Sequence, residues 1–258
     1  SLLIRLNTWK FDETLVFSGV GAERNNLLID SFLESEKDRK VFYKYYDLSP
    51  SEFNSKIIQA EKVKLDRYDD YVSKHPEESD KFKNIFKIAL TYPLYSKIEN
   101  YPLVRSGEAK NSENLDISNY FYKHREHISL DNDSLMYFYR EYVQNHMYNI
   151  VNSLGYDINS NEFTVKLLNT ISTELNDVNL KNSMLRKTFI RHFYWNSSNI
   201  IHKKTVDTFL KFNTNPTDKN LVANLTIDVQ KIKEDSLLED FIITVYNKTQ
   251  RSVNKLTK

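Results

Sequence analysis

The spacing of apolar residues changes within residues 15–28, and that change limits what the chain can fold into. Leu15 and Phe17 alternate with Val16 and Ser18, a short run suited to a pleated, half-buried surface. Beyond Gly19 and Gly21, the residues Leu27, Leu28, Phe32 and Leu33 recur at helical spacing with polar residues between them. The stretch reads as a strand turning into a helix. It holds two of only four glycines in the chain, and glycine can take backbone angles closed to other residues, so Gly19 and Gly21 are expected to make the corner. A Gly-x-Gly between strand and helix also raises the dinucleotide fingerprint, which cradles a pyrophosphate. That reading is weak here. The third glycine would fall at Arg24, no second strand–helix–strand unit follows, and no acidic residue ends a second strand.

The remainder of the chain reads as mainly α, a multi-helix domain with short β-strands at both ends. Residues 2–6 and 14–18 read as strands; two strands alone are marginal, so they are expected to be the edge or remnant of a larger sheet. Helical spacing then predicts segments over 22–39, from Ser49-Pro50 to about Ser73, and from Pro76 onward. Pro93 is expected to kink that third helix and Pro102 to stop it. Residues 103–119 read as the longest loop. Further helices are expected over about 132–153, 160–175, 179–195, 199–213 and 218–233. Phe241 to Leu256 reads as a hairpin. Three regions follow: strands over 1–21, a helical domain over 22–235, and a hairpin over 236–258.

Basic and acidic residues nearly balance, 36 against 35, for a net charge of +1. That balance argues against a general nucleic-acid or membrane-surface footprint. No apolar run approaches the roughly 20 residues that span a bilayer. The chain has no cysteine, which removes thiol, disulfide and cysteine–metal chemistry. No cofactor is implied.

His124 and His127 lie three apart, a spacing that on a helix puts two imidazoles on one face and can hold a metal. No third ligand is evident, so solvated or structural histidines are the favoured reading, as they are for His192 and His202. Asp66, Asp69 and Asp70 form an acidic cluster that works as acid and base only if burial separates their pKa values. On an amphipathic helix they are expected to face water. Tyr120, Tyr122, Tyr137 and Tyr139 fall in aromatic runs interleaved with basic residues. Helix packing is the first reading of these rings; a peptide-binding surface is the best functional one.

The opening segment, residues 2–8 and 11–28, resembles the region upstream of the thioredoxin domain in TlpA/ResA-like envelope proteins of Bacteroidetes. The likeness continues more loosely through the helical middle, including Tyr92-Pro93 and Tyr101-Pro102. It implies an exported protein, periplasmic or in the cell envelope, in which a helical region precedes a thioredoxin-like thiol–disulfide oxidoreductase domain; the 241–256 hairpin would be that domain's entry. That active site is a Cys-x-x-Cys motif, and no catalytic residue can be carried over to a chain without cysteine. Phe17, Gly19, Gly21, Asn25 and Asn26 carry over as motif positions with a structural role. The resemblance thus implies a non-catalytic accessory domain whose partners are its own redox domain and a protein or peptide client. The alternative is a stand-alone envelope binding protein that holds a peptide or glycan with its tyrosine-rich helices.

Overall fold

The computed structural model describes residues 1–108, 117, 119–128, 130, 136–195, 202–231, 242–244 and 250–252. The chain is mainly helical. Strand β1 (Leu2–Arg5) pairs antiparallel with β2 (Val16–Gly19), with Leu2 opposite Gly19 and Arg5 opposite Val16; the one-turn helix α1 (Phe11–Thr14) lies between them. The ribbon packs against the start of α2 (Ala22–Tyr45) and leaves Leu3, Ile4, Trp9 and Val20 exposed. An antiparallel pair leaves outward backbone groups open along each edge. Asn26, one turn into α2, closes one such position: its Oδ1 accepts from the Phe17 N–H at 2.8 Å and its Nδ2 donates to the Phe17 carbonyl at 2.9 Å.

The two glycines at the corner do different work. Gly21 caps α2 with φ at 79° and open space where a side chain would project. Gly19, at φ 94°, would drive a Cβ into the Ser1 carbonyl oxygen. Alanine at Gly21 is therefore expected to cost about 1–2 kcal/mol for the left-handed backbone alone. Alanine at Gly19 is expected to cost more and to detach β1. Comparing the two melting temperatures checks this, and an equal or smaller loss at Gly19 would refute it.

Helix α3 (Pro50–Lys74) begins with proline in its first turn and a capping box: the Glu52 N–H donates to Ser49 Oγ at 3.4 Å, and the Ser49 N–H to Glu52 Oε2 at 3.1 Å. Helix α4 (Asp80–Glu108) follows, then a 3-10 helix (Asn119–His127) broken at Tyr122, then α5 (Met136–Asn152), α6 (Asn161–Glu174), α7 (Val178–Trp195), α8 (Lys203–Phe212) and α9 (Pro216–Lys231). Strands β3 (Ile242–Thr244) and β4 (Gln250–Ser252) pair antiparallel, within the span read as a hairpin. Among the described residues no helix is long and apolar enough to cross a membrane.

Three expectations need correction. Helix α2 runs on through Phe42 to Tyr45, because Phe42 is buried against α3 and α4 in an aromatic cluster. Helix α4 starts at Asp80 instead of Pro76, because Ser79 caps it, accepting from the Phe82 N–H at 3.3 Å. It also continues through Pro93 and Pro102 to Glu108, so the first residues of the expected 103–119 loop are helical; residues 109–116 lie outside the described set. A proline inside a helix costs about 3 kcal/mol. Here Tyr92, Leu94, Ile98 and Tyr101 are all buried beside the two prolines, and each large apolar side chain returns about 1.5–3 kcal/mol. Burial wins.

Among the described residues the core has three parts. The largest gathers Ile88 and Tyr92 of α4 with the inner faces of α5, α6, α7 and α8. A second joins Phe42, Phe53, Ile57, Leu94, Ile98, Tyr101 and Phe121. A third holds Tyr71, Phe82, Phe86 and Leu90.

Beside the third part, Arg24 of α2 grips Glu78 through two bonds, at 2.8 and 2.6 Å, and Tyr71 donates to the same carboxylate at 3.1 Å. Burial would raise the Glu78 carboxyl, but Arg24, the Ser79 amide and hydroxyl, and Tyr71 reverse that and hold it at about 2. A carboxyl depressed by folding stabilises the fold above its unfolded value and loses that contribution as pH falls toward its folded value. Glu78→Gln is therefore expected to flatten the loss of stability between about pH 4.5 and 2. Melting curves across that range check it; an unchanged slope would refute it.

Candidate functional site

Helix α4 carries one acidic side chain into the interior: Glu99, which has no exposed surface. Burying a carboxylate costs several kcal/mol unless it is paired and hydrogen-bonded. Two neighbouring elements supply the partners. Helix α5 presents Tyr142, His146 and Asn149 along one stripe, since residues four and then three apart share a helix face. The 3-10 helix adds His124 and Arg125.

The resulting centre is nearly saturated. Arg125 binds both carboxylate oxygens, Nε to Oε1 at 2.7 Å and a terminal nitrogen to Oε2 at 2.5 Å. His124 Nε2 and His146 Nδ1 each reach Oε1 at 3.0 Å. Asn149 donates to Oε2 at 2.8 Å and to the Tyr122 hydroxyl at 3.1 Å. The Arg125 guanidinium also stacks 3.8 Å over the Tyr122 ring. Burial pushes the Glu99 carboxyl up, but the bonds from Arg125, His124 and His146 outweigh it and hold the group far below the ordinary carboxylate range. Folding therefore favours the ionised form of this carboxyl. It fastens the 3-10 helix to α4 and α5.

One atom of the centre is left over. Glu99 can only accept hydrogen bonds, so His124 donates to it through Nε2, and among the described residues His124 Nδ1 is buried without a hydrogen-bond partner. The His124 ring stacks on Tyr95, centroids 5.1 Å apart, at the floor of a cleft of about 360 Å³. Ile57 and Ile58 of α3, Ile98 of α4 and Phe121 of the 3-10 helix form apolar walls, with Asn54, Lys123 and His127 at the polar positions. Glu61, also in the lining, accepts from the Tyr95 hydroxyl at 2.6 Å.

His124 and His127 therefore border one cleft, but His124 is buried with Nε2 occupied while His127 is exposed. Among the described residues no group of three or more His, Asp or Glu side chains is placed to hold a metal ion. Tyr139 is fully buried in the largest core cluster and cannot line a binding surface, which corrects that expectation. Tyr122 is half-buried and engaged by Asn149 and Arg125. The side chains of Tyr120 and Tyr137 lie outside the described residues. Asp66, Asp69 and Asp70 are all exposed, and Asp66 and Asp70 pair with Lys62 and Lys74 along α3. His192 Nδ1 lies 2.9 Å from Thr164 Oγ1, with the His202 ring 6.2 Å away. At the amino-terminal corner, Asn26 closes the β2 edge and Asn25 Nδ2 donates to the Gly21 carbonyl at 3.2 Å.

Sequence reasoning missed Glu99, Arg125, His146 and Asn149. A signal for them existed: an acid within the apolar run of α4, and a polar stripe on the otherwise apolar face of α5. No family model matches this chain, and neither curated proteins nor solved structures contain a match to it.

Proposed function

We propose that this chain is a non-catalytic helical accessory domain of an exported thioredoxin-like thiol–disulfide oxidoreductase, and that it contacts the client or the redox domain through the cleft between α3, α4 and the 3-10 helix. The observation that carries the reading is that cleft: apolar walls and a polar rim, set over a charged centre whose oxygens are already occupied. A surface held in place by Arg125, His124 and His146 is preorganised, and preorganisation lowers the entropy lost on binding. The opening motif around Phe17, Gly19 and Asn26 supplies the redox context, and residence in the periplasm or envelope follows from that context alone. The second reading, a stand-alone envelope binding protein, uses the same cleft without a redox domain.

Translating the parent gene past the Lys258 codon separates the two. A Cys-x-x-Cys motif after an apolar strand within about 100 codons, a domain's length, is the expected result. A stop codon, or a following domain without the motif, would sink the accessory reading and leave the binding protein in its place.

A further inference from the structure

We infer that the amino-terminal ribbon is a self-association surface: β1 pairs antiparallel with β1 of a second copy about a two-fold axis at Leu3, joining two ribbons into one four-stranded sheet. The ribbon does this independently of the cleft and of any redox domain.

The phase of the backbone identifies the open edge. The Phe17 N–H and carbonyl both engage the Asn26 side chain, so they point away from β1. Ile4 lies directly opposite Phe17, which makes this couple a non-hydrogen-bonded pair of the ladder. The N–H and carbonyl of Ile4 therefore point outward, and those of Leu2, two residues back, do the same. Among the described residues none of these four groups has a hydrogen-bond partner. The two edges of the ribbon thus differ. Asn26 and the start of α2 cover the β2 edge. The β1 edge carries no proline, no bulge and no charged side chain before Arg5, the usual guards of a free edge. Its side chains are also uncovered on both faces: Ile4 is 59 % exposed on the Phe17 face and Leu3 64 % on the other. An apolar run open on both faces and along one edge suits the inside of a sheet, and a sheet needs at least three strands to be stable.

The sequence of β1 selects a second copy as the missing neighbour. Its outward groups, at Leu2 and Ile4, are symmetric about Leu3. Pairing with an identical strand in that register sets Leu2 opposite Ile4 of the second copy and Ile4 opposite its Leu2, and each couple exchanges two backbone bonds. Every outward group is then paired. Leu3 faces its own counterpart on the axis, so all the cross-strand couples from Leu2 to Ile4 are apolar. The two Arg5 side chains fall at opposite ends of the pair, about 13 Å apart along the strands. The outer edges of the four-stranded sheet are the two β2 edges that Asn26 closes, so addition stops at two copies. A foreign strand would satisfy β1 but leave its own far edge bare.

A register-specific cross-link tests this. Leu3→Cys places two thiols across a non-hydrogen-bonded pair with Cα atoms about 4.5 Å apart, within reach of a disulfide, and the chain has no other cysteine. With oxidised glutathione the Leu3→Cys protein should form a linked dimer at least about tenfold faster than the Arg5→Cys protein, whose thiols meet only by collision. Sedimentation of the unaltered chain, from micromolar to millimolar concentration, should show the mass rise from one chain to two. Ile4→Pro removes an outward N–H, which an edge strand tolerates, so it should abolish the dimer and keep the parent's melting temperature. The cysteine pair stands without that variant, since both positions are exposed and the backbone is unchanged. Equal cross-linking at Leu3 and Arg5, a chain monomeric throughout, a mass beyond two copies, or a dimer that survives Ile4→Pro would each overturn the inference.

Discussion

Glu99→Ala is expected to be the most damaging polar substitution in the chain, lowering stability by about 3–5 kcal/mol, the cost of leaving buried charges without their partner. At about 2–4 °C per kcal/mol for a domain this size, the melting temperature should fall by about 6–20 °C. The loss does not measure an attraction. It arises because Arg125, His124, His146 and Asn149 all aim donors at one carboxylate, and alanine leaves them facing a void. Glu99→Gln keeps the shape and one acceptor oxygen, so it should cost distinctly less. Thermal melts of both variants decide the matter: a Glu99→Ala protein within about 2 °C of the parent, less than a single kcal/mol, would mean the centre is not formed in solution. The acid response has a defined sign. Folding depresses the Glu99 carboxyl, so its contribution is complete above the ordinary glutamate range and drains away as pH falls below it.

Phe53→Ala should match that loss by a different route. The ring has no exposed surface and packs against Tyr101 at 4.4 Å, Tyr46 at 5.7 Å, and Phe42 and Phe121 at 6.0 Å between centroids. Removing a buried phenylalanine costs about 3–5 kcal/mol, part from lost transfer energy and part from the cavity left behind. Tyr101 resists collapse into that cavity because its hydroxyl is tied to the Leu48 carbonyl at 2.5 Å. In urea the midpoint should drop with little change in slope; a midpoint shift worth less than about 1.5 kcal/mol, the range of tolerated volume-conserving swaps, would show that the cluster repacks.

Local signals in the sequence located most of the helices because the chemistry that starts a helix is local. Ser49, Pro50 and Glu52 act within one turn of each other, and Gly19 to Ala22 mark a change of period that needs no distant partner. The behaviour of α4 at Pro93 and Pro102 was not legible for the opposite reason. Proline's penalty is local, but the burial that overrides it comes from α3 and α5, far along the chain. The candidate site suffers the same limit more severely. Glu99 is 25 residues from His124 and 50 from Asn149, and no spacing rule joins them before the fold does. The His124-x-x-His127 spacing drew attention to the right segment, and the structural reading favoured for it describes His124, which reaches Glu99, while His127 stays exposed.

Helix α4 contributes to every part of the core: Phe82, Phe86 and Leu90 to one, Ile88 and Tyr92 to another, Leu94, Ile98 and Tyr101 to the third. Opening any one part thus disturbs a helix that the other two also bury. The amide hydrogens along the middle of α4 should therefore exchange with deuterium more slowly than those of the exposed β1–β2 ribbon. A change in the middle of α4 is therefore felt in all three parts at once, beside the cleft and in the far helices alike.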